Sequence, residues 1–220
     1  MNKIWVYLDH FMGEALGASW EALGAAQALA GSVTTLAFGQ ALDGLAAQAF
    51  QYGAAEVILA EDATLRDFRP EPFSSLLARL ATEAAPDAIL FPTTTRGREL
   101  AAMLAIDLNS GVLADVTALE MQDGAILATR PVYGGKLLAK VSCLARPQLV
   151  TLRGRAFPRP ALDPGRSGTP VKVSVAIAEA DIATQVASYA RVEGGVSLTL
   201  IESNISSPFV GSMNTADPAL

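Results

Sequence analysis

Apolar residues along this chain follow two alternating rhythms. Ile4-Trp5-Val6-Tyr7-Leu8 is an unbroken β-rich run, too continuous for a strand with one wet face. Leu16, Trp20 and Leu23 then recur at helical spacing, and Gly31 stands where that helix should stop. Val33 to Phe38 reads as a second strand, and Leu42, Leu45 and Ala49 mark a short helix closed at Gly53. Val57-Ile58-Leu59 is a third strand. Pro72 is placed to open a helix whose apolar stripe is Phe73, Leu76, Leu77 and Leu80. Ala88-Ile89-Leu90-Phe91 is a fourth strand, followed by a helix carrying Leu100, Met103 and Leu104. Strands that are apolar throughout, each followed by an amphipathic helix, predict a mostly parallel sheet covered on both faces. That is an α/β three-layer sandwich, given right-handed crossovers.

After Gly111 the rhythm changes. Val112 to Leu119, Ile126 to Val132, Leu137 to Val141 and Gln148 to Leu152 are strand-like, with short links containing Gly124, Gly134-Gly135 and Pro147. No helix-length insert separates them, so antiparallel pairing is expected in this half, extending the sheet or packing beside it. Residues 154–170 hold four prolines and read as a loop, after which Val171 to Ile177 resumes strand alternation. From Ser203 to Leu220 the residues are mostly small and polar, a poor candidate for packing.

Composition narrows the chemistry. Among 220 residues, 16 Lys and Arg face 22 Asp and Glu, a formal charge of −6 that offers no surface for neutralising a row of phosphates; a nucleic-acid binder is not expected. A single cysteine excludes an internal disulfide framework and a cysteine-rich zinc site, and a single histidine excludes multi-histidine metal clusters. The longest uncharged stretch, Ala22 to Leu42, contains Gln27, Ser32, Thr34, Thr35, Gln40 and three glycines. It reads as helix, turn and strand, not as a membrane span. The opening apolar run is too short for a signal peptide, so a soluble, intracellular, non-inserted protein is expected.

The familiar nucleotide and hydrolase signatures are absent. No two glycines are separated by one residue, the Gly135-Lys136 pair lacks the first glycine of a phosphate loop, and there is no Gly-x-Ser-x-Gly elbow. The clearest local signal is Phe91-Pro92-Thr93-Thr94-Thr95-Arg96-Gly97-Arg98, between a strand and a helix. Thr93, Thr94, Thr95, Arg96 and Gly97 could hold an anion through free amides, hydroxyls and a guanidinium, or could simply cap the helix. Asp9-His10 also falls at a strand's carboxyl end, where a structural or interface role is expected. Cys143, in an apolar strand, reads as a buried inert thiol. Met12, Met103 and the two tryptophans read as core, and Glu61, Asp62 and Asp67 as a solvated loop. No metal site and no catalytic residue are expected.

Several segments together resemble the N-terminal domain of the electron-transfer flavoprotein alpha subunit. Ile4 to His10 resembles its opening strand, which ends in an acid and a histidine, and Phe91 to Arg98 resembles its threonine-rich turn. Gly111 to Val116 resembles the small-residue strand that follows. Arg130-Pro131-Val132-Tyr133-Gly134-Gly135-Lys136-Leu137-Leu138-Ala139 is similar to its Arg-Pro-x-Tyr-x-Gly-x-x-x-Ala segment, and Val150 to Phe157 to its Thr-x-Arg-x-x-x-Phe strand. Gly194-Gly195-Val196-Ser197-Leu198-Thr199 resembles the start of its interdomain connection.

The resemblance implies an adenine-nucleotide-hydrolase-like fold over residues 1–199, with residues 200–220 a non-family, disordered tail. It implies a heterodimer with a beta subunit that carries electrons one at a time through FAD, from acyl-CoA-type dehydrogenases in fatty acid oxidation to a membrane-bound quinone reductase. In the family, the flavin is held mainly by an alpha C-terminal domain with help from the beta subunit, and AMP belongs to the beta subunit. Here the family's glycine-rich continuation after Thr199 does not follow, so FAD is expected not to be bound by this chain alone. Truncation, frameshift, a split subunit or a boundary chosen for expression would each produce that ending. The expected role is a docking and dimerisation module without catalytic residues of its own. The alternatives are a stand-alone AMP- or ATP-binding domain using Thr93–Gly97, and a non-functional fragment with an exposed partner face.

Overall fold

The computed structural model describes residues 3–189. The chain divides into two units, residues 1–185 and 186–220, and the first contains all the regular structure discussed here. The expected boundary at residues 199 and 200, and the Gly194–Thr199 segment, lie outside the described residues.

In chain order the elements are β1 (Ile4–Tyr7), a small hairpin of β2 (His10–Phe11) and β3 (Glu14–Ala15), α1 (Gly17–Leu29), β4 (Val33–Gly39), α2 (Asp43–Gln51) and β5 (Glu56–Glu61). Then come α3 (Pro70–Ala84), β6 (Ala88–Pro92), α4 (Thr95–Asp107), β7 (Val112–Val116), β8 (Ala118–Gln122), β9 (Ala125–Val132), β10 (Leu137–Val141), β11 (Gln148–Leu152) and β12 (Val171–Lys172). Seven strands form one parallel sheet in the order β12-β5-β4-β1-β6-β11-β7, while β8, β9 and β10 form a separate antiparallel sheet.

The unbroken apolar character of β1 has a direct cause. Side chains alternate across a strand, and both faces of this sheet are covered. Ile4 and Val6, with Leu8 just beyond, enter one core with Trp20, Leu23, Leu45 and Ala49 of α1 and α2. Trp5 and Tyr7 enter the other, with Phe73, Leu76, Leu77, Leu100 and Leu104 of α3 and α4. The three-layer α/β sandwich is therefore as expected, and α3 opens at Pro70, two residues before Pro72.

The second half departs from expectation in three places. The run Val112–Leu119 is two strands, divided at Thr117, so that β7 joins the large sheet and β8 the small one. Gln148–Leu152 is parallel, not antiparallel: β11 inserts between β6 and β7. All five of its residues are buried, Leu149, Val150 and Leu152 in the two cores and the polar Gln148 and Thr151 through hydrogen bonds to neighbouring segments. Of Val171–Ile177 only Val171–Lys172 is strand, paired beside β5, while Val173, Val175 and Ala176 pack on the second core. Cys143 lies past the end of β10, half-buried against the first core. Met12 is 80% exposed in the β2–β3 turn, where a left-handed backbone takes its side chain away from the core. Trp5 and Trp20 are core residues.

Candidate functional site

The sheet order reverses beside β1: the chain runs outward through β4 and β5, then returns to place β6 on β1's other side. Ligands of open α/β sheets gather outside the carboxyl ends of strands at such a reversal. Here those ends are Leu8-Asp9-His10 after β1 and Thr93-Thr94 after β6. Two segments singled out independently in the sequence thus lie side by side.

Their groups engage one another. Thr94 is the N-cap of α4, its hydroxyl accepting from the Gly97 amide at 2.9 Å. Gly97 is required where it stands, because a Cβ there would lie 2.2 Å from the Pro92 carbonyl oxygen. The Arg96 guanidinium turns back toward β1 and pairs with Asp9, Nη2 to Oδ1 at 2.9 Å, and its Cζ lies 5.9 Å from the Phe68 ring centroid. Asp9 is 1% exposed and Arg96 26%. Burial and the Asp9 charge together push the Tyr7 hydroxyl well above the usual phenol range. The Asp9 carbonyl accepts from the Leu16 amide and, at 2.8 Å, from the Ser19 hydroxyl, which clamps the end of β1 to the start of α1.

His10 is equally committed. Its Nε2–H donates to the Phe38 carbonyl at 2.9 Å and its Nδ1 accepts from the Gly13 amide at 3.3 Å, an arrangement that holds the neutral ring. Burial pushes its pKa below the ordinary histidine value. His10 pins the β2–β3 hairpin to β4 and faces no nucleophile among its hydrogen-bond partners.

The acids expected in a solvated loop make specific ties. Glu61 accepts from the Leu42 amide and from Lys172, Asp62 caps a short helical turn through Thr64, and Asp67 pairs with Arg66. No group of three or more potential metal ligands occurs among the described residues, and none of their helices is long and apolar enough to cross a membrane.

A second region stands out at the opposite extreme of exposure. Tyr133, Gly134 and Gly135 all have left-handed backbone in the β9–β10 turn. Tyr133 is 79% and Leu138 69% exposed, with Leu137 exposed beside them. At the ends of β7 and β11, Asp115 and Arg153 form a two-pronged pair, through Nε to Oδ1 at 2.9 Å and through Nη2 to Oδ2. The guanidinium holds the Asp115 carboxyl below the usual carboxylate range.

Residues 4–178 match the model of the electron transfer flavoprotein domain. The chain belongs to that family. It is similar to the protein FixB of Bradyrhizobium diazoefficiens, at 34% identity over 86% of this chain and 53% of that protein. It is also similar to the electron transfer flavoprotein subunit alpha of Thermoanaerobacterium thermosaccharolyticum (32%, 86% of this chain, 59% of that protein) and of Megasphaera elsdenii (28%, 98% and 65%). The chain spans a little over half the length of the first of these relatives.

Two places in this electron transfer flavoprotein domain can be compared with what a flavin pyrophosphate requires. A cleft of about 410 Å³, lined by Gln27, Gly31, Tyr52, Gly53, Asp163 and Arg166, lies where α1 and α2 end. Helix C-termini present carbonyls, which disfavour a pyrophosphate. At the opposite edge the α4 N-terminus already faces Asp9–Arg96.

Sequence reasoning found Asp9, His10 and the Thr93–Gly97 turn but not their partners. It also missed Gln148, a buried amide whose Oε1 accepts from the Ile126 amide at 2.7 Å and whose Nε2 donates to the Cys143 carbonyl at 2.9 Å, joining the small sheet to the large one. A polar residue opening a strand gives no local hint of this. Arg69 was missed too. Only 8% of its side chain is exposed, held by Glu179 at 2.7 Å, and it ties Glu179 and the Thr184 carbonyl to the start of α3.

Proposed function

We propose that this chain is the α/β platform of an electron-transfer flavoprotein alpha-type subunit: a docking and heterodimerisation module for a beta subunit, in a carrier whose FAD is held chiefly by other parts of the assembly. The observation that carries the reading is the electron transfer flavoprotein match over residues 4–178, which lies inside one structural unit. Redox chemistry of this kind needs the flavin's position and electrostatic setting, not bond-making side chains, so a platform needs no catalytic residues of its own.

The β9–β10 hairpin supports the docking part of the reading. Large apolar side chains exposed together are what a partner covers, and Tyr133, Leu137 and Leu138 stand on one hairpin. The left-handed residues at its tip make the turn tight enough to present them. In the finer form of the proposal, the assembled carrier is cytoplasmic, takes electrons from acyl-CoA-type dehydrogenases and passes them to a membrane-bound quinone reductase, with AMP held by the beta subunit.

The test is purification of the 220-residue chain alone and with a co-expressed beta subunit, followed by FAD titration of each. A stable complex that binds flavin more tightly than the isolated chain is the expected result. Tight stoichiometric FAD binding by the isolated chain would overturn the proposal.

A further inference from the structure

At the switch point the ingredients of an anion site are all present. The N-terminus of the thirteen-residue helix α4 points there, and the Thr95 and Arg96 amides have no acceptor among the described residues. Arg96 adds a full positive charge at the same place, its guanidinium carbon 5.9 Å from the Phe68 ring centroid. Oriented amides and a guanidinium at a helix start attract a phosphate or carboxylate.

An anion is indeed present, but it is internal. The Asp9 carboxylate is 2.9 Å from Arg96. Neither of its oxygens makes a well-aligned hydrogen bond among the described residues, although both are inaccessible to solvent. A carboxylate buried on one ion pair, with its lone pairs otherwise unmet, is a poor source of stability compared with an apolar side chain of similar size. What it does supply is occupancy. It neutralises Arg96 and repels a second negative charge at close range.

We infer that Asp9 is a built-in anion that occupies the β1–β6 switch point and prevents a phosphate from binding there. It acts as a specificity residue by exclusion, and the Thr93–Gly97 turn is a latent anion site held shut. This does not rest on the electron-carrier reading, because it concerns an edge of the sheet that reading does not use. The outcome of the partner and flavin experiment leaves it untouched.

The experiment is thermal unfolding of the 220-residue chain in inorganic phosphate against chloride at matched ionic strength. Wild type should show only the small, non-saturating rise that phosphate gives proteins generally over chloride, unchanged by Arg96→Gln. Asp9→Asn should gain a saturable, phosphate-dependent rise of about 2–5 °C, and the Asp9→Asn/Arg96→Gln double variant should lose it. A phosphate-dependent rise in wild type that Arg96→Gln abolishes would overturn the inference, as would a folded Asp9→Asn protein with no phosphate response. Arg96→Gln alone provides a reading that does not depend on Asp9→Asn folding. It strands a buried carboxylate, so its melting temperature should fall by several degrees, and an unchanged value would also sink the idea.

Discussion

Strands β6 and β10 are both five residues long and both rich in apolar side chains, yet they occupy opposite environments. Every residue of β6 is buried, with Ala88 and Leu90 in one core and Ile89 and Phe91 in the other. No residue of β10 is fully buried, and Leu138 stands mostly in solvent. The difference comes from position in the sheets. β6 lies between β1 and β11 under helices on both faces, whereas β10 is the edge of a three-stranded sheet. In β6 apolar content stabilises the domain itself; in β10 it is an exposed surface of the kind the proposed docking would cover.

Substitutions that fall on the two regions should break that comparison cleanly. The largest effect is expected at Phe91→Ala, which empties a fully buried aromatic site and should lower unfolding free energy by about 3–5 kcal/mol in urea titration. A loss below about 1 kcal/mol would mean that the α3–α4 face is loosely packed. Next comes Gln148→Ala, which strands the Ile126 amide and the Cys143 carbonyl at the junction of the two sheets. It should cost about 1–3 kcal/mol. Hydrogen exchange should then show β9 protected less than β6, because the damage lies on the small sheet's side.

A smaller effect is expected from pH. His10 is held neutral, its folded pKa below the ordinary 6.5. The unfolded chain therefore binds more protons than the folded one as pH falls through 6.5. Stability from this group is fully present above that value and is lost progressively as pH falls toward the lower folded pKa. Melting temperature should decline between about pH 7 and pH 5, and His10→Gln should flatten that decline. An identical slope in the variant would show that another group titrates. The smallest change in the isolated chain is expected for Leu138→Ser, within about 0.5 kcal/mol. The same substitution should weaken association with the beta subunit, and that contrast sharpens the difference between the two strands.

Much of the fold was legible because its signals are local. Ile4–Leu8 cannot be a half-wet strand, Phe73, Leu76, Leu77 and Leu80 make a helical stripe, and Ala22–Leu42 contains its own turn. Met12 was misread because apolar character was equated with burial, where a left-handed turn residue ended up in solvent. In the candidate site, Asp9, His10 and the Thr93–Gly97 turn were visible as residues at strand ends. Arg96 as Asp9's counter-ion was not, because the two are far apart in sequence.

By itself, then, the sequence determined the alternation of strands and helices, the two-faced burial of β1, β4, β5 and β6 and, with one cysteine, the impossibility of an internal disulfide. Those properties depend on residue period and residue type, which no distant partner alters. Only the tertiary structure decided that β11 enters the large sheet beside β6, that Gln148 ties one sheet to the other, and that Asp9 closes on Arg96. Each of these is a contact between segments brought together by crossovers. Its energy comes from burial and geometry that exist only after the chain has folded.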